Sequence, residues 1–250
     1  MSRIANIVRV FLQKAADTLF SCRCLKCQAI FQRKGASEVH FLCPACWGSI
    51  RPMEGASCPI CAAPFASIMA TVESPHHICG TCREHRPAFS CAITPFAYQD
   101  PLAHVIQVFK YQKKNVLAIP LAQLLQEHLT LTEIDCVVAI PLHPKRLRAR
   151  EFNQSLLLAR EIAHYKDRPL MIDALQKEKD TTSQVGLSRK ERQGNIKGAF
   201  KVVDVDLIRD LRVLLVDDVY TTGATLREGA DILMRAGARE VVVCALARML

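Results

Sequence analysis

The sequence predicts an α/β fold in which helices cover both faces of a parallel sheet, preceded by a cysteine-rich module. Three observations carry that reading. From about residue 91 onward, short unbroken apolar runs alternate with segments of helical apolar spacing, the pattern of strands buried on both sides. Apolar types make up 50% of the 250 residues, enough for a sizeable core. Nine of the 12 cysteines lie within residues 1–90, and eight of those form four C-x-x-C pairs. With 10 Gly and 12 Pro in the chain, a collagen, a low-complexity polymer and a wholly disordered protein are excluded.

The elements follow in chain order. The opening MSRIANIVRVFLQKAADTLF lacks the unbroken apolar region and cleavage site of a secretory signal. Ile4, Ile7, Val8, Phe11 and Leu12 can share one face of a short helix that packs against the protein or, as the lesser alternative, lies on a membrane surface. No run approaches 18 uninterrupted apolar residues, so no membrane span is expected and the cytoplasm is the expected compartment. FSCAITPFAY (89–98) reads as a strand and its end, and PLAHVIQVFKY (101–111) as a helix with Pro101 near its start. Residues 115–129 read as mostly helical, interrupted or started near Pro120. DCVVAIP (135–141) is a compact strand ended by proline, and FNQSLLLAREIAHY (152–165) has helical spacing. LRVLLVDD (211–218) is an apolar strand ending in two acids. TLREGADILMRAGA (225–238) is a helix closed by Gly237, and EVVVCALA (240–247) a further buried strand.

The four pairs are Cys24/Cys27, Cys43/Cys46, Cys58/Cys61 and Cys79/Cys82, with 15 and 17 residues inside the first and second halves of the array. A two-residue gap lets a tight knuckle turn both sulfurs toward one ion, and two knuckles complete a tetrahedron of soft ligands. In a reducing compartment this predicts two structural Zn²⁺ sites, paired sequentially or crossed, ahead of iron–sulfur ligation and thiol–disulfide chemistry. Four thiolates per ion leave no open catalytic position. Cys22 lies close to the array as an additional candidate ligand, and His40, His76, His77 and His85 read as solvated loop residues. Cys91, Cys136 and Cys244 sit in apolar runs and read as small buried hydrophobes. The formal net charge is +9, from 33 Lys and Arg against 24 Asp and Glu. Eight zinc-bound thiolates lower it to about +5. Residues 1–90 are therefore expected to be an N-terminal helix with a double zinc-ribbon module, and residues 91–250 the α/β domain.

The segment VLLVDDVYTTGATL (213–226) carries the candidate chemistry. Its order is buried strand, paired acids, small polar loop, helix. Thr221, Thr222, Gly223, Ala224 and Thr225 can wrap a phosphate, with helix N-terminal amides pointing at the anion and Gly223 permitting the turn. Asp217 and Asp218 stand at the carboxyl end of the strand, where α/β ligand sites form. Acids beside a phosphate need hydroxyls or a divalent ion, and a ribose phosphate meets both demands. Neither G-x-x-x-x-G-K-[ST] nor G-x-G-x-x-G is present, which argues against a nucleoside triphosphatase and a dinucleotide site. The bland alternative is an ordinary strand end with a capped helix. Upstream, Lys145, Arg146, Arg148 and Arg150 follow strand 135–140, placed to neutralise a pyrophosphate or a nucleic-acid backbone, or to form a solvated face. Asn153 and Gln154 open the next helix. The polar stretch 176–198 reads as a lid or a surface insertion. Few aromatics flank the basic runs, so no stacking platform is expected.

The segment VDDVYTTGAT (216–225) resembles the phosphoribosyl-pyrophosphate motif of type I phosphoribosyltransferases. The resemblance implies that Asp217 and Asp218 contact the ribose hydroxyls, that residues 221–225 hold its 5-phosphate, and that Mg²⁺ accompanies phosphoribosyl pyrophosphate. It also places residues 141–146 as the counterpart of that family's pyrophosphate loop. Together with the C-x-x-C array, IPLHPKRLRAREFNQS (140–155) and TSQVGLSRKERQGNIKGAF (182–200), the whole chain resembles the ComF/GntX group of competence-related proteins. That group joins a double zinc ribbon to a type I phosphoribosyltransferase-like parallel sheet. It is associated with uptake and processing of transforming DNA. Gln184, Arg189, Arg192 and Asn195, and the Lys110–Tyr111 pair, match recurring positions of the group. Three functions follow as expectations. One is a DNA-uptake factor that binds single-stranded DNA and retains the donor site. Another is a phosphoribosyltransferase with an unidentified acceptor. The last is a zinc-stabilised interaction factor docking a DNA-uptake helicase or another competence protein.

Overall fold

A computed structural model describes residues 22–31, 41–67, 76–129, 133–181 and 194–250. The expected helix around Ile4–Leu12, His40, and Gln184, Arg189 and Arg192 of the lid lie outside these residues.

The cysteine array comes first. Strands β1 (Cys22–Arg23) and β2 (Ile30–Phe31) pair antiparallel around the first knuckle, and α1 (Pro44–Gly48) starts inside the second. Residues 58–64 form another knuckle, and α2 (Gly80–Glu84) starts inside the fourth. The two halves repeat one local design. Gln28 and Ala62, each four residues past the leading cysteine, take positive φ (60° and 56°), and each donates its amide to that cysteine's carbonyl. Cys43 and Cys79 are each the N-cap of a one-turn helix.

The α/β part begins with β3 (Cys91–Ile93) and β4 (Phe96–Ala97), two pieces of the predicted strand 89–98 separated at Thr94–Pro95. Helix α3 (Leu102–Tyr111) follows a cis Asp100–Pro101 bond. A 3₁₀ turn at Asn115–Leu117 leads into α4 (Ala118–Gln126), with Pro120 in its first turn, where a missing N–H costs nothing. Then come β5 (Cys136–Ala139), α5 (Pro144–Arg150) and α6 (Gln154–Lys166). The hairpin β6 (Leu175–Lys177) with β7 (Phe200–Val202) precedes β8 (Arg212–Tyr220), α7 (Ala224–Arg235) and β9 (Glu240–Arg248).

The sheet is all parallel in the order β3/β4–β9–β8–β5, and Leu170 adds a parallel bridge beside β5 at Val137. The chain leaves β5 toward the Leu170 edge and leaves β8 toward β9. Their carboxyl ends therefore flank the switch point, where such sheets open a crevice. β8 and β9 are buried along almost their whole length, as their unbroken apolar runs require.

Packing is divided between the two faces of this sheet. Ile106, Phe109, Leu121, Leu125, Leu158 and Ile162 of α3, α4 and α6 cover one face, over Leu214, Val216 and Leu246. Leu226, Ala230 and Leu233 of α7, with Leu175 and Phe200 of the hairpin, cover the opposite face over Val213, Leu215 and Val243. The cysteine module divides in the same way. Cys24, Leu42 and Cys43 join the first face, whereas Cys58, Ile60, Cys61 and Cys82 join the second. Among the described residues, no helix is long and apolar enough to cross a membrane.

Candidate functional site

The eight paired cysteines gather into two groups, Cys24/Cys27/Cys43/Cys46 and Cys58/Cys61/Cys79/Cys82, with all sulfurs of a group within 4.8 Å of one another. The pairing is sequential. Cys27 and Cys43 sulfurs are 3.6 Å apart, as are those of Cys61 and Cys79. A zinc tetrahedron with Zn–S near 2.3 Å has edges of about 3.8 Å, so the donors fit that ion in number, type and spacing. Backbone amides add to the fit: the Cys79 N–H lies 3.5 Å from the Cys58 sulfur. Burial raises Cys24, yet amides of Cys27, Cys43 and Lys26 outweigh it and hold the thiol at about 6. In the second group, amides of Cys61, Cys79 and Ile60 likewise overcome burial and bring Cys58 to about 7. The leading thiol of each group is thus favoured as thiolate, whereas burial, then the neighbouring sulfurs, pushes Cys46 and Cys82 up. Cys136 and Cys244 are fully buried in the sheet and Cys91 half-buried at its edge.

The second centre forms where β8 ends. The strand runs through the two acids to Tyr220, so Asp217 and Asp218 belong to the ladder rather than to a loop after it. Asp218 is only 8% exposed, and its carboxylate takes an ion pair from Lys110 Nζ at 2.8 Å. Asp217 accepts from the Ser155 hydroxyl and from the Asp218 amide, each at 2.9 Å. Burial, then the Asp218 charge, pushes Asp217 up to about 7, against the opposing pull of Lys110. Burial pulls Lys110 down, but the Asp218 and Asp217 charges prevail and hold its ammonium above the usual lysine range. Lys110 thus has the role that its sequence match alone did not supply, and its carbonyl accepts from Gln154 Nε2 at 3.3 Å. Asn153 caps α6 through the Ser155 amide and donates to the Ile140 carbonyl at 2.9 Å, tying β5 to the start of that helix.

After Tyr220 the chain turns through Thr221, Thr222 and Gly223, and Ala224 begins α7. Gly223 has φ +76°, and a Cβ there would run into the Tyr220 ring, so both backbone and space require glycine. The Ala224 amide approaches Thr222 Oγ1 at 3.4 Å, and the Arg227 amide closes the first helical turn on the Gly223 carbonyl at 2.8 Å. The first-turn amides of such a helix are oriented for an anion. Thr225 lies in that same turn.

The basic run takes a form that charge counting did not reveal. Residues 144–150 are a helix with Pro144 at its start and His143 as N-cap, so only 141–143 remain of the expected loop before it. Lys145 pairs with Asp180 at 3.0 Å, and His143 Nδ1 lies 3.4 Å from the same carboxylate. Arg146 donates to the Thr181 carbonyl at 2.7 Å. Arg148 is exposed. Arg150 donates to Gln154 at 3.3 Å and lies over the Tyr111 ring at 5.1 Å. Lys177, which no sequence motif singles out, joins this side. Burial, then Arg146, pulls it down to about 8, with Asp217 and Asp180 opposing. Ser155 is equally silent in the sequence; its place in the first turn after Asn153 is the only local clue.

Two measurements check this geometry. Protein prepared without added metal should carry two zinc ions per chain, and Cys58→Ser should carry one, read by elemental analysis. The second concerns Asp217, whose ordinary value is 3.8 and whose folded value is about 7. The native state holds that proton across the interval, so the group's contribution to stability is full below about pH 4 and is lost as pH rises toward 7. Asp217→Asn should therefore flatten the decline of the thermal midpoint between pH 4.5 and 7.5.

Known proteins are similar along most of the chain. A double zinc ribbon family model matches residues 15–83, and a phosphoribosyl transferase domain model matches residues 153–249. Competence protein F of Haemophilus influenzae is 34% identical over 68% of this chain and 78% of its own. DNA utilization protein YhgH of Salmonella typhimurium is 30% identical over 84% of this chain and 91% of its own. Competence protein ComFC of Streptococcus pneumoniae is 28% identical over 91% and 88% respectively. With relatives of this identity along most of its length, and matches to a double zinc ribbon and a phosphoribosyl transferase domain within it, the chain belongs to the ComF/GntX family of competence protein F-like proteins.

Proposed function

We propose that this chain is a competence-associated protein that supports uptake or processing of transforming single-stranded DNA, with a phosphoribosyl-pyrophosphate-type site at the carboxyl end of β8. The names of the relatives, competence protein F and DNA utilization protein, support the first half. One observation carries the second: β8 carries Asp217 and Asp218 near the end of its ladder, before the turn that opens α7, and Lys177 feels both Asp217 and Arg146 of α5 across the switch point. The 5-phosphate of the ligand takes the 221–225 turn, its ribose hydroxyls face the acids, and its diphosphate faces Lys145 and Arg146. Mg²⁺ enters with the diphosphate, because the chain's own acids are already engaged, Asp218 by Lys110 and Asp217 by Ser155. For the strand, Tyr111 is 63% exposed and carries Arg150 on its ring, while Lys145 is exposed at the other end of the same helix as Arg150. An aromatic face bordered by cations suits a stacked base and its phosphates.

A second reading, phosphoribosyl transfer to an unidentified acceptor, is favoured by the match of residues 153–249 to a phosphoribosyl transferase domain model, with Lys177 and Arg146 as cations on the same side as Asp217. In that reaction a bond from the acceptor's nucleophile to ribose C1 forms as the bond from C1 to the diphosphate oxygen breaks, the acceptor's proton is lost to solvent and the diphosphate leaves with its charge stabilised by cations.

Calorimetric titration with phosphoribosyl pyrophosphate, with and without Mg²⁺, should show submillimolar binding without release of diphosphate. Release on adding one nucleobase establishes the enzyme instead, and no binding by folded protein at millimolar ligand removes the site. Neutralising Lys145, Arg146, Arg148 and Arg150 together should lower the salt dependence of single-stranded DNA binding, by roughly 0.7 in logarithmic slope for each lost phosphate contact. An unchanged slope assigns these cations to a small ligand or to a solvated face.

A further inference from the structure

The second cysteine group is fastened to the turn before α7 by two arginines. Arg227, in the opening turns of α7, reaches the Cys82 sulfur at 3.5 Å with one guanidinium nitrogen and the His85 carbonyl at 2.8 Å with another. Its guanidinium carbon rests 5.9 Å from the Phe89 ring centroid. The same residue's amide closes the helix on Gly223. Arg248, paired with Tyr220 across the β8–β9 ladder, donates to the Cys61 carbonyl at 2.6 Å and lies 4.5 Å from the centre of the Tyr220 ring. That ring is 2% exposed and fills the space where a Gly223 side chain would stand.

We propose that the Cys58/Cys61/Cys79/Cys82 site is the positioning anchor of the phosphate turn, acting through Arg227, Arg248 and Tyr220; this rests on the reading of 221–225 as a phosphate loop. Four thiolates on one Zn²⁺ leave the site with a net charge of about −2. Arg227 is the cation that meets it, so the metal's excess charge fixes a guanidinium and the guanidinium fixes the first turn of α7. Arg248 holds the group from the strand side through the Cys61 carbonyl rather than a sulfur, and lies against the Tyr220 ring that stands at Gly223. Within the turn, the contact from the Ala224 amide to Thr222 is long at 3.4 Å. The Arg227 and Arg248 contacts support the turn from outside, in addition to the 2.8 Å bond from the Arg227 amide to the Gly223 carbonyl. The arginines also screen the anionic metal site from an incoming phosphate monoester, which the site would otherwise repel.

Full-length zinc-loaded protein, Arg227→Met, Arg227→Lys, Arg248→Met and Cys58→Ser would be compared by three measurements: zinc content, amide exchange over 220–227, and calorimetric affinity for ribose 5-phosphate and inorganic diphosphate. Both Met variants should keep two zinc ions, exchange the 221–226 amides at least tenfold faster and bind ribose 5-phosphate five- to tenfold more weakly, with diphosphate affinity unchanged. Arg227→Lys, which keeps a charge near the sulfur, should recover part of both losses, and Cys58→Ser should show the same fast exchange. Wild-type exchange in both Met variants overturns the anchor. If wild-type protein binds no ribose 5-phosphate, the phosphate-loop reading falls, while the exchange rates still decide whether the metal site orders this turn.

Discussion

A carboxylate inside a strand buried on both faces must be met by a cation, and this demand organises the molecule. Asp218 lies in the ladder of β8 and Lys110 comes from the far end of α3 to neutralise it at 2.8 Å. Removing one partner of such a pair leaves a buried charge that costs about 3–5 kcal/mol. The position of Lys110 is in turn held by Gln154 of α6, whose neighbour Asn153 is tied to the end of β5. Four elements far apart in sequence thereby converge on one crevice, and the ligand groups at its rim inherit their placement from that pair.

The sheet is also why the cysteine module has two halves. Each half supplies cysteines to a different hydrophobic cluster, one on the α3/α4/α6 face and one on the α7 face. The short β3/β4 edge receives further cover from the linker between them, where the Met53 amide donates to the Pro95 carbonyl at 2.7 Å and Pro52 bridges Phe96. An exposed sheet edge invites pairing with another chain, and here the module's own linker occupies it.

The strands were legible because their apolar runs are long and unbroken, and the four knuckles because a two-residue gap turns both sulfurs to one ion, whereas spacing alone left open which knuckles share an ion. What stayed hidden has physical causes. Helix α5 reads as a charge run, since Lys145, Arg146, Arg148 and Arg150 mask the proline start and histidine cap that define it. Asp217 and Asp218 read as a strand end because acids rarely continue a ladder, and their true depth depends on Lys110, a partner outside any local window. Gln28 and Ala62 adopt the left-handed region without being glycine, so the internal repeat of the knuckles leaves no composition mark. Arg227 and Arg248 look like ordinary surface cations until the cysteine half docks against them.

The order of strands in the sheet bears on how the chain assembles. β9 lies between β3 and β8, and the bond that seats the start of the sheet joins Ser90 to Val241, 151 positions later. Closing so long a loop is entropically slow, whereas each cysteine group closes over a few tens of residues. The metal-binding halves can therefore form as local units while the sheet is still open. Their apolar flanks, Leu42 on one side and Ile60 on the other, then offer two preformed surfaces on which the late central strands condense.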